Sequence, residues 1–226
     1  AKIELNSMFY SPVAWLVLVI FGFQIGMSFA QIYGEQLRYQ DMGYDLWSVT
    51  SGVYTGMRGI LPPIQRYIYL YIPLITMGLM SREYQSGSIK LLYSSPVKNT
   101  SIIIGKFLSM MVYGGALIAV LGVFVIFSAI TIVNFDYPLV LSGMLGLYLL
   151  ILAYSAIGLF MSSITKYQVV AAIGTLAVLA VLNFIGDVGQ DYDLVRHITY
   201  WLSITGRAYP FIDGLIASDN IFYFLI

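Results

Sequence analysis

Four long apolar runs without a single charged residue restrict the fold of this chain more than any other feature. They are Val13–Tyr33, Phe107–Val133, Leu139–Ile164 and Val169–Ile185. A helix of about 20 predominantly apolar residues is long enough to cross the hydrocarbon core of a bilayer. Charged residues make up only 10% of the chain, whereas a soluble domain carries about 25%. The sequence therefore predicts an all-α, polytopic membrane protein.

We expect one transmembrane domain over residues 1–226, and its second span is the least regular. The spans are expected at about residues 13–33, 65–82, 104–133, 139–164 and 169–186, with a sixth that starts near residue 221 and is truncated. Tyr67–Ser81 supplies 15 residues between Arg66 and Arg82, or about 22 Å of helix, against a core of about 30 Å. This helix is therefore expected to continue past both arginines, with a kink at Pro73.

The distribution of positive charge predicts the orientation of these spans. The N-terminus, the connection from Arg82 to Lys106 and the turn at Lys166 hold six Lys or Arg and two acidic residues. The other connections hold five Arg and nine acidic residues, and all five lysines lie in the first set. Because cytoplasmic loops carry an excess of Lys and Arg, we expect a cytoplasmic N-terminus in the inner membrane. Residues 34–64 and 187–220 are then extracytoplasmic loops.

The first residues predict a short amphipathic helix ahead of the first span. Leu5, Met8, Phe9 and Pro12 fall at i, i+3, i+4 and i+7, which is the spacing of one helical face. This pattern suits a helix lying in the membrane interface, although an ordinary lead-in to the first span remains an alternative. Ser11-Pro12 is typical of a helix start, so a second helix is expected to begin there.

The stretch from Ser81 to Lys106 is the most informative polar connection. Ser86-Gly87-Ser88 predicts a break, and Ile89, Leu92 and Tyr93 then share one face of a short helix. From the residues alone, two interpretations stay open. The helix either rests on lipid headgroups or presents apolar side chains as a docking element for another protein.

The same residues exclude several kinds of chemistry. His197 is the only histidine and cysteine is absent, so no His-based triad and no thiolate metal site is expected, and we expect no catalytic and no metal-binding residue. The five aspartates after residue 186 lack the spacing of a calcium loop. Gly105-Lys106 lacks the first glycine of a phosphate-binding loop, where Thr100 stands, and Phe107 replaces the Ser or Thr that would hold magnesium. The net charge of zero gives no electrostatic case for nucleic acid.

The connection nevertheless resembles the signature region of ABC-2 type permeases, which are membrane subunits of one group of ABC transporters. The matching elements, in order, are Pro73, Arg82-Glu83, Gly87-Ser88, Leu91-Leu92, Ser95-Pro96-Val97 and Gly105-Lys106-Phe107. The aromatic-Ser-Pro element at Phe9, Ser11 and Pro12 is similar to the start of the gliding-motility-type subgroup. The chain departs from the family pattern at Lys90, where an acidic residue is common.

The resemblance implies a six-helix transmembrane domain with an N-terminal interface helix and a cytoplasmic coupling region at residues 82–101. The residues expected to couple the permease to its ATPase are Glu83, Tyr84, Gly87, Ser88, Ile89, Leu91, Leu92, Ser95 and Pro96. The run Phe211–Ile216 is implied as a re-entrant turn. Other implied partners are membrane lipid and a second permease copy or homologue, which would form a dimer.

The implied function is that of a permease subunit, an exporter driven by a separate ABC ATPase. That ATPase would hold ATP and magnesium, so no cofactor and no enzymatic activity are expected in this chain. A membrane anchor that transmits ATPase motion to a gliding or envelope machine, without moving a solute, is the alternative.

Overall fold

The described part of this chain consists of helices joined by turns and short connections. The computed structural model describes residues 2–42, 49–56, 59–94, 98–132, 134–187, 199 and 201–225. It is 86% helical and holds no strand within these ranges, so the all-α prediction is confirmed. The helices are α1 (Lys2–Phe9), α2 (Pro12–Asp41), α3 (Val49–Tyr54), α4 (Leu61–Thr76), α5 (Ser81–Ser86), α6 (Ile89–Ser94), α7 (Asn99–Thr131), α8 (Tyr137–Ile164), α9 (Gln168–Phe184), α10 (Ile204–Ile212) and α11 (Ser218–Leu225).

Among the described residues, three helices are long and apolar enough to cross a bilayer: α2 over Pro12–Tyr39, α7 and α8. Helix α2 begins at Pro12, as the Ser-Pro pair predicts, because proline at the first helical position loses no hydrogen bond. Helices α4 and α9 contain 16 and 17 residues, which is shorter than a complete crossing requires. The membrane boundaries expected for the other spans therefore stay predictions.

Helix α8 lies at the centre of the bundle and packs against α4, α7, α9 and α10. Two of its glycines permit this close approach. A Cβ on Gly158 would overlap the side chain of Thr76 on α4, and a Cβ on Gly146 would overlap Phe211 on α10. Small residues at helix contacts let two backbones approach closely in a membrane protein, where van der Waals packing drives association.

Helix α4 does not continue through Ser81, and this part of the sequence-based expectation is wrong. The helix ends at Thr76, Met77–Met80 form a turn, and α5 starts at Ser81. Ser162 of α8 supports the turn: its Oγ accepts hydrogen bonds from the N–H of Met80 (3.0 Å) and Ser81 (3.2 Å). The same hydroxyl donates to the carbonyl of Met77 at 2.9 Å. Because buried backbone groups need partners, this side chain is what makes the break possible.

The connection between α2 and α4 folds onto the bundle through Tyr54. Its side chain is fully buried, and its hydroxyl donates to Ser128 Oγ at 2.8 Å and approaches the carbonyl of Phe124 at 3.1 Å. Burial raises the pKa of Tyr54 to about 12, while the Ser128 hydrogen bond has a smaller, opposite effect. The hydroxyl therefore remains a donor at neutral pH, and it fixes α3 to the end of α7.

The segment after α9 forms a helical hairpin on α8. Helix α10 starts beside α9, where Thr205 Oγ1 donates to the carbonyl of Asn183 at 3.2 Å, and it ends with Phe211 against Gly146. Gly214 then takes a positive φ of 83° in the turn before α11. The predicted re-entrant run Phe211–Ile216 thus covers the end of α10 and this turn. Of the five aspartates after residue 186, Asp191 and Asp193 fall within 188–198, as does His197, and these residues lie outside the described part of the chain.

Candidate functional site

One lysine is completely enclosed by the protein at the end of the bundle where α4, α5 and α7 meet. Lys106 is the eighth residue of α7, and it is 1% exposed. A buried ammonium is stable only when it is paired and hydrogen-bonded. Lys106 is therefore the residue from which the surrounding site is built.

The first partner of Lys106 comes from the N-terminal helix. Its Nζ lies 3.1 Å from Oε1 and 3.2 Å from Oε2 of Glu4, which is 102 positions away in the sequence. Glu4 lies in the first turn of α1, and its side chain is 29% exposed. Both oxygens of the Glu4 carboxylate thus contact the ammonium, and this ion pair connects α1 to α7.

Helix α1 is held in this position by its apolar face. Met8 is buried, and the Phe9 ring lies 5.9 Å from the Tyr113 ring and 6.0 Å from the Trp15 ring, measured between centroids. Trp15 Nε1 donates to the carbonyl of Phe9 at 2.8 Å, which satisfies a backbone group at the end of the helix. Met8 and Phe9 therefore face the bundle, whereas Leu5 is half-buried and Pro12 is exposed.

The second partner of Lys106 comes from the start of the predicted coupling region. Nζ lies 2.5 Å from Oε1 of Glu83 in α5, and the Glu83 side chain is 19% exposed. The turn at Met77–Met80 separates α5 from α4, and the Glu83 side chain of α5 reaches Lys106 of α7. The other oxygen of Glu83, Oε2, is buried and has no hydrogen-bond partner among the described residues.

A small cavity with both polar and apolar lining borders the three charges. Its volume is about 280 Å³, and it lies between α1, the start of α2, the turn after α4 and α5. Its polar lining, besides the three charged residues, comes from Ser7, Ser11, Arg82, Ser86 and Ser88. Glu4, Glu83, Lys106 and Arg82 together carry two negative and two positive charges, so the site is formally neutral. In the described part of the chain, this site included, no group of three acidic or histidine side chains comes together to form a metal site.

The remaining residues of the predicted coupling region divide into an inner and an outer set. Ile89 is 8% exposed and lies in the core, so the prediction that it presents an apolar side chain at the surface is wrong. Tyr84 and Ser88 are half-buried, and Gly87 takes a positive φ of 74° to end α5. The outer set is polar and comprises Arg82, Gln85, Ser86, Lys90, Ser94 and Lys98. Ser95 and Pro96, and the side chains of Leu91 and Leu92, lie outside the described residues.

A comparison with protein families places these features in a known context. The family model described as "ABC-2 family transporter protein" matches residues 1–190, which include Glu4, Glu83 and Lys106. This chain belongs to the ABC-2 transporter family. Searches of curated proteins and of solved structures gave no significant match.

Membership of the ABC-2 family confirms the coarser part of the sequence-based function. The chain is a multi-pass membrane protein and the permease subunit of an ABC transporter, and this family is a transport component rather than a catalyst. The gliding-motility-type subgroup suggested by Phe9, Ser11 and Pro12 stays a prediction.

Sequence reasoning missed the roles of Lys106 and Glu4. It considered Lys106 as a cytoplasmic charge, as part of an incomplete phosphate-binding loop and as part of the Gly105-Lys106-Phe107 element of the resemblance, and it gave Glu4 no role. One signal was available: a single acidic residue in a short amphipathic helix and a lysine at the start of an apolar run, both at the same predicted end of the bundle. Opposite charges in such positions favour an ion pair.

Proposed function

We propose that this ABC-2 permease exports a substrate across the inner membrane, and that a separate ABC ATPase drives it by docking on residues 82–101. One observation carries the proposal. The helices α5 and α6 project a polar, exposed set of side chains beyond the bundle, while Glu83 of α5 is held from behind by Lys106. A segment that is exposed on one side and fixed to the spans on the other can transmit movement.

The exposed set also indicates the chemistry of the partner surface. Arg82, Lys90 and Lys98 are exposed cations, whereas the acidic residue of this region, Glu83, points inwards. We therefore expect the docking surface of the ATPase to be acidic opposite α5 and α6. ATP and magnesium would reside on that ATPase.

We further infer a cytoplasmic N-terminus and a second permease copy or homologue. The excess of lysines at the end of the bundle that carries α1, α5 and α6 supports this orientation. Helices α2 and α9 each expose an apolar face, for example at Val19 and Phe23 on α2 and at Ile173 on α9. Lipid and the second copy would cover these faces. The aromatic-Ser-Pro element at the α1–α2 junction supports the gliding-motility-type subgroup.

The docking proposal is tested by photocrosslinking in cells. A photoreactive amino acid at Gln85 or Lys90 is expected to crosslink to a protein with a nucleotide-binding P-loop, identified by mass spectrometry. The same amino acid at the exposed Tyr137 or Asp213, at the other end of the bundle, is the matched control. A P-loop protein captured equally from both ends, or from neither, would overturn the docking site.

A second measurement tests the coupling. Leu92→Asp is expected to reduce co-purification of the ATPase, and to abolish stimulation of its activity, without unfolding the permease. Reconstituted complex should also concentrate a lipidic or amphiphilic probe across proteoliposome membranes in the presence of ATP. ATP hydrolysis without any vectorial movement, over a panel of such probes, would instead favour the membrane-anchor alternative.

A further inference from the structure

The ion pairs of Lys106 join three segments that the sequence keeps far apart. Glu4 belongs to α1, Glu83 to α5 and Lys106 to α7. Both carboxylates contact one ammonium, at 3.1 Å and 2.5 Å respectively. Because Lys106 is 1% exposed, its ammonium depends on these two carboxylates for pairing. A displacement of α5 therefore changes the electrostatic environment that holds α1.

The geometry gives the two carboxylates unequal freedom. Glu4 engages Lys106 through both oxygens, and α1 is additionally held by Phe9 and Trp15. Glu83 engages it through one oxygen, and its other oxygen lacks a partner among the described residues. The cavity of about 280 Å³ lies beside this contact and offers space for movement. Glu4 therefore stays paired with the ammonium when Glu83 draws Lys106 towards α5.

We propose that Lys106 is a positioning residue that carries movement of the coupling region to the N-terminal helix and the third span. In this structure the ammonium forms an ion pair with both Glu83 and Glu4. Movement of α5 pulls Lys106 and Glu4 with it, so that α1 follows. This role rests on the proposed function, because it requires an ATPase to move α5.

The absence of cysteine from the chain makes the movement measurable. Spin labels on cysteines at Asn6 in α1 and Gln85 in α5 are each paired with a label at Phe160 in α8, and all three positions are exposed. Distances are measured by electron paramagnetic resonance in the reconstituted permease–ATPase complex, with and without ATP. In the otherwise native chain, ATP is expected to shift both the Gln85–Phe160 and the Asn6–Phe160 distances.

Lys106→Met is expected to preserve the ATP-dependent shift at Gln85 and to remove the shift at Asn6. Glu83→Gln, which leaves the Lys106–Glu4 pair in place, should have the same effect and serves if Lys106→Met fails to fold. Lys106→Arg should restore the shift at Asn6, which a loss of packing alone would not explain. Lys166→Met, at an exposed lysine outside the coupling region, is the matched control and should retain both shifts.

The possible outcomes test the role of Lys106 separately from the docking proposal. If ATP shifts Gln85 but Asn6 does not move in the native chain, or still moves in both Lys106→Met and Glu83→Gln, the role of Lys106 is overturned alone. If ATP shifts neither label in the native complex, the proposed ATPase-driven movement fails and the role of Lys106 fails with it.

Discussion

The ammonium of Lys106 lies 2.5 Å from Oε1 of Glu83, across the junction between α7 and α5. This contact turns the acidic residue of the coupling region inwards, away from the surface on which an ATPase would dock. Glu83 therefore supports the proposed coupling region from behind, and the proposed contact with the ATPase falls to the outward-facing residues of α5 and α6. The distinction decides how variants at these positions should be interpreted.

Loss of the buried ammonium is expected to destabilise the permease strongly. Lys106→Met leaves Glu4 and Glu83 without their cation, and removing one partner of a buried ion pair costs about 3–5 kcal/mol. The thermal unfolding midpoint in detergent should fall accordingly. Lys166→Met removes an exposed lysine at the same predicted end of the bundle, and such surface changes stay within about 0.5 kcal/mol. Equal midpoints for the two variants would contradict the structural role of the ion pairs.

The turn after α4 depends on a hydroxyl from α8. Ser162→Ala removes the acceptor of the Met80 and Ser81 N–H groups and the donor to Met77. Buried groups left without a partner cost about 1–3 kcal/mol, so we expect a lower unfolding midpoint and faster amide hydrogen exchange at residues 77–81. The hydroxyl of the neighbouring Ser163 donates to the carbonyl of Phe160 in its own helix, so Ser163→Ala should leave this exchange unchanged. If amide hydrogen exchange at residues 77–81 is unchanged in Ser162→Ala, the turn does not depend on the Ser162 hydroxyl.

The packing of α4 on α8 makes a methyl group at position 158 unfavourable. In Gly158→Ala the new Cβ would overlap Thr76, including its Cβ at 2.7 Å, so one of the two helices must shift. Overpacking of this kind costs about 1–3 kcal/mol, measured as a lower unfolding midpoint. A Cβ on Gly115 of α7 meets nothing within 4 Å, so Gly115→Ala should be neutral or stabilising by up to about 1 kcal/mol. A neutral Gly158→Ala would disprove the close approach.

The proposed orientation predicts which cysteines a membrane-impermeant maleimide can reach. Lys98→Cys, at the exposed start of α7, should react only in inverted vesicles or after permeabilisation. Asp213→Cys, at the exposed end of α10, should react in intact spheroplasts. The chain has no native cysteine, so each label reports one position. The reverse pattern would place the N-terminus outside.

The sequence predicted those features that depend on local composition. The uncharged runs lie in α2, α7, α8 and α9 because apolar residues of sufficient length leave few alternatives in a membrane protein. The start of α2 at Pro12 is also local, because the Ser-Pro pair itself marks it. The all-α fold class and the positions of the long apolar helices could therefore be predicted from the sequence.

The features that depend on distant partners could not be predicted. The break after Thr76 requires Ser162, which follows Met80 by 82 positions. Local rules foresaw only a kink at Pro73, since nothing near it in the sequence marks the cap. The burial of Lys106 likewise depends on Glu4, 102 positions away. Ile89 was placed on the wrong side because helical periodicity defines a face but does not say whether lipid, water or protein covers it.

The anchoring of α5 has a consequence for the construction of chimaeric transporters. The proposed coupling segment is not independent of the rest of the chain in an exchange between two members of this family, because Lys106 binds its Glu83, Glu4 shares the same lysine, and Ser162 supports the turn that precedes it. A graft limited to residues 82–101 would place a foreign sequence beside the original residues at positions 4, 106 and 162. Recombinants that exchange positions 4, 106 and 162 together with the segment should therefore assemble more often than those that exchange the segment alone.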